Sequence, residues 1–244
     1  MHRIFIKDDQ WHNTQLLLSD EQTHHLNTVV RIKKNDPLEV TTTKKTYQVS
    51  VSSIQKNKLE FTINQETTHP KKDHHITLIQ ALPKQDKFAE IIKKCTELGI
   101  DEIIPVITER CLVKAHNIKQ ENKLERWNKI ALAASEQSKR TTLPEIHPIY
   151  ALRELKEKLD LQKYDIKLVC WEEEKKQTLK SLINENKNPR NILIFIGPEG
   201  GISQEEITFL TQLDFQSVSI SETILRVENA AFLAIANILY AYQI

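Results

Sequence analysis

Short runs that alternate apolar and polar residues fill the first third of the chain. Alternation of this kind, rich in β-branched residues, is typical of strands with one buried face. Three runs predict strands: "HRIFI", "PLEVTTTKKTYQVSVSSIQ" and "KLEFTINQ". Between the first two, residues 20–31 predict a short helix that turns Leu26, Val29 and Val30 inward. Several short strands with little helix indicate a small β-barrel.

The pattern changes at residues 64–75, "NQETTHPKKDHH", which are polar, carry Pro70 and show no period. A stretch of this composition is typical of a linker between two domains. We therefore expect a barrel domain over residues 1–72 and a second domain over residues 73–244.

Beyond that boundary, near-continuous apolar runs alternate with segments of helical spacing. A continuous apolar run is typical of a strand that is covered on both faces of a parallel sheet. The runs are "ITLIQAL" (76–82), "EIIPVI" (102–107), "IKLVC" (166–170), "NILIFI" (191–196) and the weaker "FQSVSI" (215–220). Their alternation with helices predicts a parallel α/β sheet and, together with the barrel, a mixed α/β chain.

Local signals mark the ends of several helices. Asp86 is placed to cap a helix that stops at Gly99, and Ser203 with Glu206 forms a capping box at the start of another. The last segment, "VENAAFLAIANILYAYQI", is apolar nearly all round. A helix of this kind has to be buried on most sides, either by its own domain or by a second subunit.

Composition argues against several classes of protein. The net charge is only +1, so an RNA partner has to be met by a local basic patch. Three widely spaced cysteines provide neither a disulfide framework nor a metal knuckle. Residues 1–15 are polar, and the apolar stretch 230–242 is too short to span a bilayer. We therefore expect a cytoplasmic protein that binds neither a metal ion nor a membrane.

Three of the four glycines lie within five residues, in "GPEGG" (197–201), directly after a predicted buried strand. Parallel sheets bind ligands at the carboxyl ends of their strands, and glycine lets backbone amides approach a ligand. The loop has neither a Gly-Lys-Ser/Thr ending nor dinucleotide-binding spacing, and Glu199 would repel a pyrophosphate. A neutral or cationic ligand fits better, such as an adenosine with a sulfonium and an ammonium group. A sharp turn that binds no ligand is the open alternative.

A second strand-to-helix turn lies in "SISETILRVENAA" (219–231) and presents Arg226, Glu228 and Asn229 before the apolar last helix. An arginine two positions before a carboxylate is compatible with a structural salt bridge. Beside another ligand-type loop, the same residues become a candidate site.

Several motifs carry a resemblance to a known family: "ALPKQDK", "KKCTELGI", "ITERCLVK", "AASEQSKR", "IFIGPEGGIS" and "ILRVENAA". In order and spacing they are similar to those of the RsmE-type 16S ribosomal RNA uridine methyltransferases of the SPOUT superfamily. The N-terminal "HRIF" and "HHLNTVVRIKKND" also resemble the small barrel of that family. The resemblance covers nearly the whole chain.

This resemblance implies a PUA-like RNA-binding β-barrel followed by a SPOUT α/β domain with a deep trefoil knot. It also implies a homodimer and S-adenosyl-L-methionine as the cofactor. The implied reaction is methylation of N3 of uridine 1498 in the 16S rRNA of the small ribosomal subunit.

The resemblance further implies the residues of the site. The predicted cofactor-binding residues are Cys170, Trp171, Glu172, Ile196, Gly197, Glu199, Gly200, Gly201, Ile220, Ser221, Leu225, Arg226 and Asn229. Arg226 is the candidate to stabilise a uracil anion, with Glu228 orienting it or accepting the proton. The candidates for RNA contact are Arg3, Arg31, Lys84, Lys87, Lys94, Arg110, Lys114, Gln137, Ser138 and Arg140. For any single lysine among them, a solvated surface position is the ordinary expectation.

The chain departs from the family pattern at several positions. Ser221 replaces a glycine where the backbone is expected to approach the adenine, and Asn229 replaces a threonine. Two alternatives therefore stay open. One is a non-catalytic RNA-binding protein, and the other is a SPOUT methyltransferase that acts on a different base or on transfer RNA.

Overall fold

The computed structural model describes residues 1–112 and 120–242. Contacts within the chain divide it into two compact units. The first unit comprises residues 1–71 together with Ser135–Leu143, and the second comprises the rest of the described chain. The predicted domain assignment of residues 1–72 and 73–244 stays a prediction.

The first unit contains one six-stranded sheet. Its strands are β1 (His2–Phe5), β2 (Trp11–His12), β3 (Gln15–Leu17), β4 (Pro37–Thr41), β5 (Lys45–Gln55) and β6 (Lys58–Thr68). They lie in the order β1-β4-β5-β6-β3-β2, and every pair is antiparallel except the parallel pair of β1 and β4. The alternate positions predicted to face inward do so, because Leu38, Val49 and Leu59 are fully buried in one hydrophobic core.

Strand β6 runs further than its sequence pattern predicts. It continues to Thr68, which pairs with Lys45, so residues 64–68 of the predicted linker are part of the sheet. These residues are exposed along the strand and therefore leave no apolar period in the sequence. Backbone pairing to β5, which side chains do not reveal, extends the strand.

The predicted helix of the first unit divides into two parts. Helix α1 (Asp20–His24) begins with a capping box of Ser19 and Gln22 and continues as a π-helical turn over His25–Val30. Leu26 is fully buried, whereas Val29 is exposed, so the prediction that Val29 points inward was wrong. The wider turn is the reason, because residues three apart no longer share one face when the hydrogen bonds reach five residues back.

The second unit contains a parallel sheet of seven strands. They are β7 (His75–Ala81), β8 (Glu102–Ile107), β9 (Glu145–Ile146), β10 (Tyr150–Ala151), β11 (Ile166–Cys170), β12 (Asn191–Ile196) and β13 (Gln216–Val218). The order is β10-β8-β7-β12-β11-β13, and β9 also pairs with β8. All of these pairs are parallel, which confirms the predicted parallel sheet. The trefoil knot stays a prediction.

The helices that accompany this sheet are α2 (Lys87–Leu98), α3 (Gln120–Gln137), α4 (Leu155–Lys158), α5 (Leu179–Glu185), α6 (Gln204–Gln212) and α7 (Val227–Tyr242). The predicted stop of α2 at Gly99 is confirmed, since this glycine has a φ of +100°. The capping box of Ser203 and Glu206 at α6 is also confirmed. Asp86 does not cap α2, because its carboxylate instead accepts a hydrogen bond from Arg126 at 2.9 Å.

Helix α7 buries one side and leaves another open. Ala231, Ala234 and Ile235 are fully buried, whereas Phe232 is 40% and Tyr240 is 87% exposed. The expectation of burial on most sides therefore holds within the chain for one face only. The homodimer that would cover the other face stays a prediction.

Glu136 near the end of α3 generates a prediction about stability. Burial raises the pKa of its carboxyl to about 7, although a hydrogen bond from the backbone of Phe5 acts in the opposite direction. A raised carboxyl pKa means tighter proton binding in the folded state. Its contribution to stability is therefore full below the unfolded pKa of about 4.3 and is lost as the pH rises to about 7.

We expect Glu136→Gln to stabilise the protein at pH 8 by about 1 kcal/mol, after allowance for solvent screening, and to have little effect at pH 4. Urea unfolding at the two pH values measures the difference. Glu121→Gln on the exposed start of α3 is the matched control. An equal effect of Glu136→Gln at both pH values would contradict the assignment.

Candidate active site

The glycine loop, residues 197–201, joins the end of β12 to the start of α6. Gly201 has a φ of +74°, and a Cβ built there would overlap the carboxylate of Glu172. At Gly200, a Cβ would lie 3.1 Å from Cβ of Arg110. The loop therefore packs its bare backbone against two neighbouring segments, which explains the concentration of glycines.

Side chains anchor this loop from outside. Nη1 of Arg110 donates to the carbonyl oxygen of Gly200 at 3.1 Å. The Glu199 carboxylate accepts from the backbone N–H of Lys84 at 3.1 Å, and Nζ of Lys87 lies 3.1 Å from its Oε1. Burial alone would raise the pKa of Glu199. Hydrogen bonds from its own backbone and from Lys87 and Lys84 outweigh burial and hold that pKa below its ordinary value.

Two more turns lie beside the glycine loop, because β11 pairs with both β12 and β13. Residues 170–172 follow β11, and residues 219–226 follow β13. The two turns are tied together where the backbone N–H of Trp171 donates to the carbonyl oxygen of Val218 at 3.1 Å. The carboxyl ends of three adjacent parallel strands thus meet at one place in the sheet.

Ser221, the departure from glycine, fits its turn without strain. It is not among the described residues with a positive φ, so its backbone conformation is open to any residue. Its hydroxyl accepts a hydrogen bond from the backbone N–H of Thr223 at 3.1 Å and stabilises the turn. The hydroxyl of Ser219 also donates to the carbonyl oxygen of Ser221 at 3.1 Å, so replacement of glycine by serine is compatible with an ordered, unstrained turn.

The three turns enclose a cavity of about 450 Å³. Most of the predicted cofactor-binding residues line it: Cys170, Trp171, Glu172, Ile196, Gly197, Glu199, Gly200, Gly201, Ile220, Ser221, Leu225 and Arg226. Asn229 does not line it. Six residues that the sequence did not indicate also line it: Pro198, Ser219, Thr223, Ile224, Val227 and Ala230. Pro198, Ser219, Thr223 and Ile224 are neighbours of predicted residues within the same turns, so taking each turn as a whole would have found them. Val227 and Ala230 lie at the start of α7, where the sequence pattern indicates buried core positions.

The donor set of the cavity fits a small polar ligand with positive charge. Its volume lies within the usual range for small-molecule sites. Nε1 of Trp171 is buried and has no hydrogen-bond partner among the described residues, which leaves a donor for an acceptor on a ligand. Glu172 is exposed and lines the cavity, so its carboxylate is accessible to a cationic group.

The predicted catalytic residues are Arg226 and Glu228, and only Arg226 lines the cavity. Arg226 is exposed and lines the cavity. Glu228 is only 7% exposed, does not line the cavity, and its Oε2 lies 3.8 Å from Nζ of Lys87. Within the described residues the two make no ion pair with each other, so the geometry does not support the idea that Glu228 orients Arg226.

In the first unit, the residues predicted to contact RNA differ in how accessible their side chains are to a phosphate group. The Arg3 side chain is 8% exposed and forms an ion pair with Glu39 at 3.1 Å. Its Nη1 also donates to the carbonyl oxygens of Lys139 and Arg140. The guanidinium is thus used inside the unit, which argues against a phosphate contact by Arg3.

The other candidates of this unit are more accessible. Arg31 and Gln137 are exposed, and Ser138 and Arg140 are half-buried. Nε of Arg140 donates to the carbonyl oxygen of Thr142 at 3.0 Å.

In the second unit, Lys84 and Arg110 are exposed, although Arg110 is bound to the glycine loop. Lys94 pairs with Glu90 at 2.7 Å on the same helix, and Lys87 lines the cavity. Lys114 lies outside the described residues.

The described residues contain no group of three or more His, Cys, Asp or Glu side chains that could hold a metal ion. None of the helices in the described ranges combines the length and hydrophobicity that crossing a bilayer requires.

Comparison with known proteins adds to this geometry. Residues 69–239 match the RNA methyltransferase domain family, and residues 18–64 match the RNA methyltransferase PUA domain family. Ribosomal RNA small subunit methyltransferase E of Rickettsia conorii is 32% identical over 97% of this chain and 94% of its own length. The chain belongs to the ribosomal RNA small subunit methyltransferase E family.

Solved structures agree with the family and the fold. Methyltransferase E from Neisseria gonorrhoeae, bound to S-adenosyl methionine, is 29% identical and superposes with a TM-score of 0.86 over 99% of this chain and 98% of its own. A methyltransferase from Legionella pneumophila in complex with the same cofactor is 27% identical, with a TM-score of 0.85 over 98% and 97%. The predicted mixed α/β class with a PUA domain is confirmed.

The close packing of the glycine loop generates a prediction about stability. A Cβ at Gly197 would lie 2.6 Å from Cγ1 of Ile202, which is buried. We expect Gly197→Ala to lower the free energy of unfolding by about 1–3 kcal/mol through this overlap. Ile202→Ala alone is expected to lower it by about 2–5 kcal/mol through a cavity.

In the double variant, the new methyl group enters the space that Ile202 leaves. We therefore expect the double variant to lose at least about 1 kcal/mol less than the sum of the single variants. Urea unfolding of all four proteins completes the cycle. Additive losses would show that the overlap does not govern the loop.

Proposed function

We propose that this protein methylates N3 of a uridine in the 16S rRNA of the small ribosomal subunit, with S-adenosyl-L-methionine as the methyl donor. The family resemblance gives the target as uridine 1498. The observation that carries the proposal is the cavity at three adjacent strand ends, built around a loop of bare backbone. The relatives with this cofactor bound support it.

The bound cofactor supplies a methyl group that is already activated by the charge on its sulfonium sulfur. The chain's own residues hold and orient it. Backbone groups of residues 197–201 form one wall, the Glu172 carboxylate offers negative charge, and Nε1 of Trp171 offers a hydrogen-bond donor. Tight orientation matters, because alignment of reacting groups provides a large part of the rate of such a transfer.

The harder step concerns the uracil, because its N3–H must lose a proton before the nitrogen attacks. Arg226 is exposed on the cavity wall and its guanidinium is the group we assign to stabilise the resulting anion. Glu228 is buried and does not line the cavity. We therefore assign the proton to solvent water and not to Glu228.

Exposed basic residues provide the RNA contacts in this proposal. Arg31 in the first unit and Lys84 in the second are exposed. Contacts of this kind bind phosphates and position the RNA without reading its sequence. The predicted homodimer also belongs to the proposal, supported by the exposed Phe232 and Tyr240 of α7.

The function is tested on ribosomal RNA from a strain that lacks the gene. We expect mass mapping of its 16S rRNA to show the loss of one methyl group at uridine 1498, restored by the gene. Purified protein with labelled S-adenosylmethionine should methylate small subunits from that strain. Loss of a methyl group elsewhere would favour the alternative target. An unchanged RNA together with no cofactor binding at millimolar concentration would favour the non-catalytic RNA-binding protein.

Arg226 is tested by single-turnover kinetics with saturating RNA. We expect Arg226→Ala to lower the methyl-transfer rate about 100-fold, because the developing anion loses its cation. The rate is measured at saturating cofactor, and cofactor affinity is determined separately by calorimetry, because Arg226 also lines the cofactor cavity. A full transfer rate in Arg226→Ala would remove the residue from the mechanism.

A further inference from the structure

Lys87 lies between two carboxylates of different segments. Its Nζ is 3.1 Å from Oε1 of Glu199 in the glycine loop and 3.8 Å from Oε2 of Glu228 in the first turn of α7. Lys87 itself opens α2 and lines the cavity. We propose that Lys87 is a positioning residue that joins the glycine loop to the start of α7 and so maintains the shape of the cavity. The inference rests on the proposed function, since that cavity is the proposed cofactor site.

The environment of Glu228 is the first argument. The residue is 7% exposed, and its Oε2 has no hydrogen-bond partner among the described residues. A buried carboxylate without a compensating charge or hydrogen bond strongly destabilises the folded state. Within the described chain, Lys87 provides the one cation at ion-pair distance. Lys94, two turns further along α2, adds a weaker interaction with the same carboxylate.

The anchoring of Glu199 is the second argument. Its carboxylate accepts the backbone N–H of Lys84 at 3.1 Å and also meets Nζ of Lys87. Both contacts come from the chain directly before and within the first turn of α2. Without the lysine charge, one backbone hydrogen bond would remain from this region to the loop, and Glu228 would lose the one cation that the described chain places at ion-pair distance.

These contacts argue against the RNA-binding role that was predicted for Lys87 from the sequence. A lysine that binds RNA phosphates needs an ammonium group open to solvent, whereas the Lys87 ammonium already faces two carboxylates. Because a phosphate would have to compete with both, the geometry favours positioning over RNA contact.

Hydrogen exchange of the ligand-free protein tests the bridge directly. Lys87→Met removes the charge and keeps a long apolar side chain, and Lys93→Met on the exposed face of the same helix is the matched control. We expect Lys87→Met to speed amide exchange in both residues 197–201 and residues 219–228 by about tenfold or more relative to Lys93→Met. Unchanged exchange in either segment would overturn the proposal.

Cofactor affinity provides the second readout. We expect calorimetry to show S-adenosylmethionine binding about tenfold weaker in Lys87→Met and largely restored in Lys87→Arg. The double variant Lys87→Met/Glu228→Gln should regain stability, because no buried charge remains, but should still bind the cofactor weakly. Recovery of affinity in the double variant would show that Lys87 acts only by neutralising Glu228, against the proposal.

The salt dependence of RNA binding tests whether Lys87 contacts an RNA phosphate instead. If Lys87 contacted a phosphate, Lys87→Met would reduce the dependence of RNA affinity on salt by about one unit of slope, which would overturn the proposal. We expect an unchanged slope. A wild-type protein that binds no cofactor would refute the proposed function, while the exchange experiment would still decide whether the bridge exists.

Discussion

The pairing of β11 with two neighbours that both follow it in sequence is the constraint on which the candidate site depends. Residues 170–172, 197–201 and 219–226 are far apart along the chain. They come together because parallel strands in adjacent positions end at the same edge of a sheet. No strong local interaction between the turns is needed for this, since the ladder hydrogen bonds of the sheet already fix their spacing.

Structural features that depend only on residues close together in the sequence could be predicted from it. Gly99 ends α2 because a positive φ favours glycine, and Ser203 with Glu206 starts α6 because their hydrogen bonds span only three residues. The glycine loop belongs to the same group. Its ligand chemistry could be narrowed from sequence because the absence of lysine and the presence of Glu199 are visible without a structure.

Features decided by distant partners, or by backbone geometry that side-chain spacing does not show, could not be predicted from the sequence. Asp86 is of a residue type that commonly caps helices. Its carboxylate instead accepts a hydrogen bond from Arg126, forty residues away in sequence. Val29 has helical spacing, but the backbone widens into a π-helical turn. The prediction of RNA-contacting cations has the same limit, because the partners of a charged side chain are not visible in the sequence. The sequence offers Arg3 and Arg31 as equal candidates for RNA contact, and only the structure shows that Glu39 already holds one of them.

The segment Ser135–Leu143 has a consequence for the order of events during synthesis. It belongs by contact to the unit formed by residues 1–71, and Arg3 donates to the carbonyl oxygens of Lys139 and Arg140. A nascent chain therefore cannot complete its N-terminal unit when residue 71 leaves the ribosome. It must wait until residues 72–134 of the other unit and the segment Ser135–Leu143 have also emerged. The two units are consequently expected to mature together on the ribosome, and a gene fragment that ends at residue 71 would encode the first unit without its last segment.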